Sequence, residues 1–593
     1  MAESNSKGCV VVELKEEKLK IPLPKGYLNQ DDKSITHIKK KEDDDENKKE
    51  VEELFSPILV VPIEVVNNID NYQEKINLAI NKYGTWKIVP VPKKVISSKS
   101  DILQLADYGI PVNSINAKEW VKYFESFEQE CFITGKIPII TAVTKLGWRE
   151  NYTKFIPFCD EYLVDVDFNL QRVLEAYHTK GTLEEWINSI KDLRTNILFR
   201  FILSTSFAGP LLSIIGHRNF GVYNYGASRA GKTAMLLTSL SIWGEAKQLC
   251  STFNHTTVGV ERMAELRNDL ILGMDERQIQ KSQTELEKLV FVLCSGKGKV
   301  RGNKTGGVQL TSTFNIIMLM TGESTLAITN STSGIGTRIL ELEGSPFNYD
   351  EELSSKMYEI TSKYYGTAGR EFIRILIEKY SKNNYQELKN KYEEIKETIK
   401  AETENDISSY ISSVSLVVLA DIIAGKELFG EDNEEKSISM GLEILKKLPT
   451  SQEIDIIEKS YKDVYSWILS NNSSFDIYKE PKSGDLTDDV VHQGFGKSFG
   501  LYDNDVYYVH TNILKDWFDK NNYSERKILS GWAEKGYILT KTNSKGKVEN
   551  AIQKKFKGRN ARMVAFPMKV AQATENQRKR VEEEIKKMKI VEL

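Results

Sequence analysis

The sequence predicts a multidomain α/β protein with a P-loop ATPase core. The chain has 593 residues, whereas a single hydrophobic core stops growing at roughly 250–300 residues, so several domains are expected. A glycine-rich phosphate-binding pattern lies between a strand-like and a helix-like segment. The C-terminal part of the chain changes to short strands and basic residues, which indicates a further domain there.

The phosphate-binding pattern is the most informative motif. The preceding FGVYNY segment, residues 220–225, predicts a buried strand, and the following AMLLTSLSIW segment, residues 234–243, predicts a helix. Glycines let backbone N–H groups face a phosphate, and the helix N-terminus adds its positive dipole end. We therefore expect ATP and Mg²⁺ as cofactors, with Lys232 on the β- and γ-phosphates and Thr233 on the metal. The pattern comprises Gly226, Ala227, Ser228, Arg229, Ala230, Gly231, Lys232 and Thr233.

An acidic pair supplies the second part of the nucleotide site. The segment DLILGMDE, residues 269–276, predicts a buried strand that ends in Asp275 and Glu276. We expect Asp275 to orient Mg²⁺ through water and Glu276 to polarise the attacking water. A helix cap is the structural alternative, and the short interval after the phosphate loop disfavours it.

A third strand, FNIIMLM at residues 314–320, ends in Thr321, Gly322 and Glu323. In ATPases of the AAA+ kind, which this order of strands resembles, a polar residue here contacts the γ-phosphate or the attacking water. Thr321 is our candidate for this role, with Glu323 as the alternate.

Two arginines resemble further AAA+ positions. Arg338 stands at the head of the predicted final strand, RILEL, where AAA+ proteins place an arginine finger that reaches the γ-phosphate of a neighbouring subunit. A surface arginine at the start of a strand is the alternative. Arg370, in GTAGR, opens a predicted helix and is our candidate for the sensor of the lid domain.

A glycine- and lysine-rich segment, SGKGKVRGNKTGGV at residues 295–308, precedes the third strand. Its composition predicts a hairpin with Lys304 at the tip. Ring helicases project a lysine into the central channel from such a hairpin, so we expect Lys297, Lys299 and Lys304 to contact DNA. An ordinary solvated loop is the alternative.

The C-terminal segment predicts a winged helix. Two amphipathic helices at 511–518 and 523–535 precede two strands at 537–541 and 548–557, which a turn at 544–547 joins. The basic residues would neutralise phosphates and make binding salt-sensitive. A basic dimerisation module is the alternative. The candidate DNA contacts are Lys545, Lys547, Lys554, Lys555 and Lys557.

The remaining segments complete the predicted domain organisation. The charge run KKKEDDDENKKE, residues 39–50, indicates a solvated linker inside the extension. From the N-terminus, we expect a partly flexible extension at 1–51, an α/β domain at 52–160, a helical linker at 161–216, the ATPase core at 217–345, a helical lid at 346–484, the winged helix at 485–570 and a C-terminal helix at 571–593.

Composition excludes several classes of protein. The five cysteines are scattered without a CxxC pair, which argues against structural zinc and against a disulfide framework. The sequence contains neither an apolar run of about 18 residues nor a signal peptide. We therefore expect a cytoplasmic protein without membrane partners. The net charge of −3 means that any nucleic-acid binding must depend on local basic patches.

The run GASRAGKTAMLLTSLSIWG, followed by LILGMDE, GKGKVRGNKTGG, MTGES and GTAGREFI, resembles a known family. The chain is similar, over about residues 55–570, to the MCM-like AAA+ self-loading replicative helicases of staphylococcal cassette chromosomes and pathogenicity islands. The resemblance implies a homo-oligomeric, hexameric ring that unwinds DNA 3′ to 5′ with ATP. It also implies single-stranded and duplex DNA as partners, together with replication proteins encoded by the same mobile element.

Two other functions remain open at this point. The ATPase could remodel or regulate DNA complexes without unwinding them, or it could be an inactive, ATP-gated assembly factor. The intact set of Lys232, Asp275 and Glu276 argues against the inactive factor. The predicted hairpin with Lys304 favours the helicase over the remodelling ATPase, because a regulator needs no channel lysine.

Overall fold

The structure is a computed structural model of the chain. It describes residues 7–14, 17–42, 48–254, 256–276, 283–300, 302, 311–326, 338–403, 408–448, 456–478, 490–492, 498–503, 505–521, 523–542, 548–556 and 559–568. The chain divides into two compact units. The first comprises residues 1–177, 265–268 and 300–312, and the second comprises residues 178–264, 269–299 and 313–593.

The first unit is mainly β-structure. Its largest sheet has the order β12-β9-β6-β7-β8, and smaller sheets pair β3-β4-β5, β1-β2 and β10-β11. The strands are β1 Cys9–Glu13, β2 Lys18–Pro22, β3 Tyr27–Gln30, β4 Ser34–Glu42, β5 Lys48–Ser56, β6 Leu59–Asn68, β7 Gln73–Lys82, β8 Thr85–Pro92, β9 Ile139–Val143, β10 Gly147–Arg149, β11 Lys154–Ile156 and β12 Leu163–Val164. The helices are α1 Lys93–Ile96, α2 Ala117–Phe127 and α3 Phe168–Glu175, with a 3-10 helix at Asp101–Tyr108 and a π-helix at Glu128–Phe132.

The prediction of a partly flexible N-terminal extension at 1–51 is wrong for the residues that the structure describes. Val10, Val12 and Ile35 are fully buried in the same core as Trp120 and Tyr123 of α2. Strands β1 to β5 therefore belong to the first domain, which begins near residue 9 and not near residue 52. The sequence interpretation missed this because β1 to β3 have only four or five residues each, and because β4 and β5 carry the charge run.

The charge run is likewise not a linker over its described residues. Its ends lie in β4 and β5, where Lys40 faces Glu50 across the antiparallel pair. Lys39 lies 2.9 Å from a carboxylate oxygen of Glu53 and 3.0 Å from one of Glu119. Opposite charges on facing strands stabilise such a pair, so a run of mixed charge is compatible with a hairpin. Residues 43–47 lie outside the described residues.

The second unit contains a parallel sheet and a large helical region. Its sheet strands are β13 Phe220–Tyr225, β14 Ser251–Thr252, β15 Leu270–Asp275, β16 Ile316–Gly322 and β17 Ile339–Glu343. The helices up to the C-terminal domain are α4 Leu183–Ile190, α5 Ile197–Phe207, α6 Leu211–Ile215, α7 Lys232–Ser241, α8 Ala246–Leu249, α9 Thr257–Leu266, α10 Gln283–Ser295, α11 Glu351–Lys363, α12 Thr367–Tyr380, α13 Gln386–Ala401, α14 Ser408–Glu427 and α15 Glu434–Lys447.

The central sheet has the order β14-β15-β16-β13-β17, and all neighbours are parallel. Every residue of β15 and β16 is buried, as is typical of a parallel sheet covered on both faces. Strand β13 lies between β16 and β17, the last two strands of this sheet along the chain. In open α/β sheets, ligands bind beyond the carboxyl ends of the strands at a topological switch point. The end of β13 is such a point, and the phosphate-binding pattern follows it directly.

The helical segments agree with the sequence in several details. Thr182 and Glu185 form the expected capping box at the start of α4, and the chain breaks between α5 and α6 at Gly209 and Pro210. Among the described residues, no helix is long and apolar enough to cross a membrane.

The described residues of the C-terminal domain form three α-helices and a six-stranded sheet of order β19-β18-β20-β21-β25-β24. Its helices are α16 Ile456–Ser470, α17 Thr511–Lys520 and α18 Glu525–Glu534. Its strands are β18 Phe475–Tyr478, β19 Val490–His492, β20 Gly500–Asp503, β21 Val506–His510, β22 Lys541–Thr542, β23 Val548–Glu549, β24 Ile552–Phe556 and β25 Arg559–Pro567.

The two expected helices of this domain coincide with α17 and α18. Of the strand expected at 537–541, only Lys541 lies in a strand, as the first residue of β22. The strand expected at 548–557 is divided into β23 and β24. Tyr461 and Val464 of α16 share the core of Trp517 and Trp532, so this domain includes a helix upstream of residue 485. The C-terminal helix expected at 571–593 lies outside the described residues.

Candidate nucleotide-binding site

An open cavity of about 450 Å³ lies at the carboxyl ends of β13, β15 and β16. The fold brings together here most of the residues that the sequence assigned to the nucleotide. The predicted residues in its wall are Ser228, Arg229, Ala230, Gly231, Lys232, Thr233, Asp275, Glu276, Thr321 and Glu323. Gly226 and Ala227 belong to the same loop and lie next to the cavity, where both carbonyl groups contact Lys232.

The loop has the backbone of an anion-binding turn. Gly226, Arg229 and Gly231 have φ values of 147°, 63° and 78°, and such alternation of backbone conformation makes a concave anion site. A Cβ atom at residue 231 would lie only 2.4 Å from the ring of Phe347, so only glycine fits there. Ser345 fixes the loop from behind, because its Oγ donates to the carbonyl of Ala230 at 2.8 Å.

Lys232 is the first residue of α7 and is held inside the loop. Its Nζ donates to the carbonyl oxygens of Gly226 at 3.0 Å and Ala227 at 2.6 Å. Burial lowers the pKa of Lys232, while the negative charges of Glu323 and Asp275 act in the opposite direction. A buried ammonium without a counter-ion at hydrogen-bonding distance attracts an anion strongly. This arrangement therefore suits a phosphate that replaces the two carbonyl contacts.

Asp275 is the centre of a compact hydrogen-bond network. Its Oδ1 accepts from Thr233 Oγ1 at 3.1 Å, from the hydroxyl of Thr321, and from the backbone N–H of Glu276 at 3.0 Å. Among the described residues, these bonds all converge on Oδ1. The other carboxylate oxygen is thus directed away from the network, and a carboxylate so held keeps one orientation.

Glu276 leaves the strand in an unusual conformation. Its φ is +60°, in the left-handed region where a residue with a side chain is strained. The bonds from its N–H to Asp275, and to Thr321 Oγ1 at 3.4 Å, hold it there. The turn directs the Glu276 side chain into the cavity wall, next to the end of β16.

The donor set of the cavity fits Mg²⁺. Thr233 and Asp275 offer oxygen atoms, which Mg²⁺ prefers, and the open cavity leaves room for the waters and phosphate oxygens that complete an octahedron. Among the described residues, no cluster of three or more His, Cys, Asp or Glu side chains could hold a metal by itself. A metal held by Thr233 and Asp275 would take its other ligands from waters and phosphate oxygens.

Arg338 lies at the amino ends of the strands of the central sheet. The phosphate loop of the same chain lies at their carboxyl ends. Ile339 pairs with Gly221 near the start of β13, whereas the loop follows the end of that strand. The length of β13 separates the two, about 16 Å at the usual rise of a strand. Nη1 of Arg338 donates to the carbonyl of Cys294 at 3.4 Å. The structure thus does not bring Arg338 to the cavity of its own chain.

Arg370 is also absent from the described wall of the cavity. It lies in the first turn of α12, where the N–H of Gly369 donates to the carbonyl of Ile242 at 2.8 Å. Ile242 follows the last residue of α7, and Lys232 is the first, so α7 separates Arg370 from the loop by about 15 Å. The role of Arg370 as a sensor remains a prediction.

The predicted hairpin is described only at its base. Lys297 and Thr313 form an antiparallel bridge, and Phe314 N–H donates to the carbonyl of Gly296 at 3.0 Å. The side chains of Lys297 and Lys299 are exposed. Lys304 lies outside the described residues, so its position at a hairpin tip remains a prediction.

The C-terminal lysines fall into two groups. Lys545, Lys547, Lys557 and the side chain of Lys555 lie outside the described part of the structure. Lys554 is half-buried, lies 2.7 Å from a carboxylate oxygen of Asp503, and has its Nζ 4.7 Å from the centre of the Tyr508 ring. Burial lowers the pKa of Lys554, but Asp503 and Tyr508 raise it more, and the net pKa is above the usual value. Lys554 already has a counter-ion within its own domain.

The structure also adds residues that the sequence interpretation did not single out. Glu351, Ser354, Ser355 and Tyr358 form one face of α11 and line the cavity. Their spacing of three, four and seven residues is the pattern of a single helix face, and a polar stripe at this spacing after the last sheet strand was the available signal. Burial raises the pKa of Tyr358, so its hydroxyl stays protonated at neutral pH.

A second pair of residues was missed in the C-terminal domain. Arg526 and Lys527 are exposed in the first turn of α18, and Arg526 and Arg562 both line a cleft of about 530 Å³ beside β23. The basic pair after Ser524 and Glu525 at the start of a predicted second helix could have identified them.

The fold and the cavity thus define a multidomain α/β protein with a phosphate loop at the switch point of a parallel sheet. Comparison with protein families gives two matches. Residues 28–313 match a domain of unknown function, DUF927, and residues 455–571 match the Cch helix turn helix domain. No curated protein matches the chain.

Among solved structures, the chain is similar to one described as "SCCmec type IV Cch - active helicase". The TM-score is 0.60 at 14% sequence identity, and the similarity covers 92% of this chain and 98% of that one. The shared fold and the Cch helix-turn-helix domain confirm the resemblance to the helicases of staphylococcal cassette chromosomes.

Proposed function

We propose that the protein is an ATP-dependent DNA helicase of a mobile genetic element, with an AAA+ core. The observation that carries the proposal is the network in which Thr233, Asp275 and Thr321 meet beside Glu276. The phosphate loop, the acidic pair and the end of β16 are distant in the sequence, and residues of all three meet at Oδ1 of Asp275. A protein that only bound a nucleotide would need the loop, but not an oriented acidic pair and a polar residue on the next strand.

Five residues of the cavity have a definite task in ATP hydrolysis. Lys232 leaves the carbonyl groups of the loop and binds the β- and γ-phosphates. Thr233, and Asp275 through water, would hold Mg²⁺, which would supply positive charge to the phosphates. Glu276 accepts a proton from the attacking water, and Thr321 orients that water or the γ-phosphate.

DNA binding is assigned to the C-terminal domain and to the basic segment before β16. Residues 455–571 match a helix-turn-helix family, and the exposed Arg526 and Lys527 stand at the start of α18, which follows α17 in this domain. The name of the similar solved structure describes that protein as an active helicase. We infer from this likeness that the present chain also unwinds DNA.

We further propose a homo-oligomeric ring, a hexamer by resemblance, that moves 3′ to 5′ on single-stranded DNA and loads itself. The position of Arg338 supports the ring, because this arginine is about 16 Å from its own loop and could serve only a neighbour's nucleotide. Cytoplasmic replication of the mobile element, with partner proteins encoded by the element, completes the proposal.

The alternative is an AAA+ ATPase that remodels DNA complexes without unwinding. The helix-turn-helix domain favours this alternative as much as the helicase, since regulators also bind duplex DNA through such domains.

Strand displacement distinguishes the two functions. The wild-type protein and Glu276→Gln are given forked duplexes with a 3′ or a 5′ single-stranded tail, together with ATP. The helicase displaces the strand of the 3′-tailed fork, and Glu276→Gln displaces none. A wild-type protein that hydrolyses ATP in the presence of DNA but displaces neither strand would be a remodelling ATPase.

A further inference from the structure

The turn between β7 and β8 exposes a tyrosine ring. Lys82 pairs with Thr85 across the two strands, so Tyr83 and Gly84 form a two-residue hairpin turn. Their φ values are 56° and 78°, in the left-handed region, which Asn and Gly adopt most readily in such turns. Tyr83 is 93% exposed, so its ring adds nothing to the core. The ring is therefore available to a ligand.

Two exposed lysines lie beside this ring. The Nζ atom of Lys82 lies over the Tyr83 ring, 5.2 Å from its centre, and this cation–π contact restrains the ring. Lys87 pairs with Ile80 across the strands. Because Ile80 is buried in the core and side chains alternate along a strand, Lys82 and Lys87 lie on the same face of the sheet. Both are exposed, and within the described part of the chain neither has an ion-pair partner.

The 3-10 helix at Asp101–Tyr108 brings a second tyrosine to Lys82. A Cβ atom at Gly109 would lie 3.1 Å from Nζ of Lys82, so the Lys82 side chain reaches the end of this helix. Tyr108 is 43% exposed, while the inner side of the helix packs in the core. The neighbouring Asp107 is exposed and pairs with neither lysine. One surface, the Tyr83 patch, thus comprises Lys82, Tyr83, Lys87 and Tyr108.

We propose that the Tyr83 patch binds single-stranded DNA, with the Tyr83 ring stacked on an unpaired base and the two lysines on the adjoining phosphates. The proposal rests on the DNA helicase function given above. Lys82 covers one face of the ring, and the exposure of Tyr83 leaves the other face open to a base. An aromatic ring beside uncompensated positive charge suits a strand that offers base faces and phosphates together.

Duplex DNA and a protein partner fit the patch less well. In a duplex the bases are already stacked on one another, so an exposed ring finds a free base face only at an end or after unstacking. The core of a protein interface is rich in tyrosine but poor in lysine, whereas here a lysine lies directly over the ring. An unpaired strand is therefore the occupant that this chemistry favours.

The test is the affinity of the full-length chain for a labelled oligothymidine of about 20 nucleotides, measured by fluorescence anisotropy. Tyr83→Asn removes the ring and suits the conformation of the turn, so the fold should be kept. Because the base loses its stacking partner, we expect single-strand binding to weaken about fivefold or more. Affinity for duplex DNA is expected to stay unchanged. Tyr83→Phe keeps the ring and should bind as the wild type does.

Tyr72 provides the matched control. It lies in the turn between β6 and β7, at the other end of β7, with a φ of 58° and 85% exposure. It thus resembles Tyr83 in conformation and exposure, but no cation among the described residues lies over its ring. Tyr72→Asn should change neither the single-strand nor the duplex affinity.

The lysines are tested by salt dependence. Each phosphate contact on a single strand contributes about 0.7 to the slope of log affinity against log salt concentration. The double variant Lys82→Gln, Lys87→Gln should therefore lower this slope by about 1.4. An unchanged slope would contradict the assignment of the two lysines to phosphates.

Crosslinking locates the strand directly. A strand that contains bromodeoxyuridine should crosslink at Tyr83, as mapped by mass spectrometry. Wild-type affinity of Tyr83→Asn, or no crosslink at Tyr83, would overturn the proposal and leave the helicase function intact. An equal loss of duplex binding, or a changed oligomeric state, would also overturn it, because the ring would then serve the fold or a second copy of the chain. If the wild type binds neither form of DNA, the helicase function itself fails.

Discussion

Thr233 Oγ1 and Asp275 Oδ1 lie 3.1 Å apart, although 42 residues separate them in the chain. Thr233 belongs to the first turn of α7, which follows β13 and the phosphate loop. Asp275 ends β15, which is separated from β13 in the sheet by β16. Because these strands are parallel, their carboxyl ends bring the two residues together. A hydroxyl and a carboxylate joined in this way fit the proposed magnesium site.

Replacement of Lys232 and of Glu276 should separate binding from hydrolysis. Lys232→Ala removes a charge-assisted contact to the phosphates, so we expect both weak binding and a loss of about 10²–10³ in kcat. Glu276→Gln keeps the loop and the network around Asp275, so ATP binds while hydrolysis falls by about 10²–10⁴. Binding of a nucleotide analogue and steady-state ATPase rates measure the two effects. Near-normal turnover of Glu276→Gln would contradict its assignment as general base.

Arg338 should act on the nucleotide of a neighbouring subunit. Arg338→Ala alone is expected to lose about 10³-fold or more in ATPase rate, as for other arginine fingers. Mixing it with inactive Lys232→Ala should restore turnover, because a mixed interface pairs one intact loop with one intact arginine. ATPase rates across mixing ratios give the result, with subunit exchange verified by labelled protein. No recovery despite exchange would show that Arg338 has a structural role at Cys294.

Lys304 should couple hydrolysis to movement on DNA. Lys304→Ala is expected to keep its basal ATPase rate and its duplex binding, while unwinding falls about tenfold or more, because a charged contact of about 1.5–3 kcal/mol is lost in each subunit. Lys304→Arg keeps the positive charge and serves as the control, with much of the unwinding retained. Fork unwinding and ATPase assays on the same preparations measure both. Wild-type unwinding by Lys304→Ala would favour the remodelling ATPase.

Asp421 should stabilise the helical region through its charge. It is fully buried, and its two carboxylate oxygens lie 3.0 Å from Arg194 and 2.7 Å from Arg200. Asp421→Asn removes the fully buried one of the two counter-ions that both guanidinium groups share, the other being the partly exposed Glu431. We expect the free energy of unfolding, measured with urea at neutral pH, to fall by about 3–5 kcal/mol. Glu359→Gln, which removes an exposed partner of Lys363, is the control and should change little.

The same cluster predicts an acid transition. Burial raises the pKa of Asp421, but Arg194 and Arg200 lower it more, so the net pKa lies below the usual value. A carboxylate with a lowered pKa contributes stability at pH values above the unfolded pKa of about 3.9, and the contribution is lost as pH falls through the folded pKa. Urea midpoints between pH 7 and pH 3 should therefore decline for the wild type more steeply than for Asp421→Asn. Equal slopes would contradict the assignment.

Most residues that line the candidate nucleotide cavity had been singled out from the sequence. Strand β13, the loop and the start of α7 follow from local glycine placement and apolar periodicity, and these signals need no knowledge of distant residues. Asp275 and Thr321 were identified because each ends an apolar run. Tyr358 was not identified, because the polar stripe to which it belongs on α11 is also typical of a solvent-exposed helix face, and only the packing of α11 places it at the cavity.

The sequence by itself determined the segments around the candidate site, which are the glycine-rich loop, the acidic pair and the polar end of β16, and it determined helices α17 and α18 of the C-terminal domain. Only the tertiary structure decided that β1 to β5 share a core with α2, that Arg338 lies across the sheet from its own loop, and that α11 forms a wall of the cavity. The physical reason is the range of the interactions. Helix and strand patterns arise from neighbours within a few residues, whereas the core, the strand order and the packing of α11 against α7 depend on residues that meet only when the chain folds.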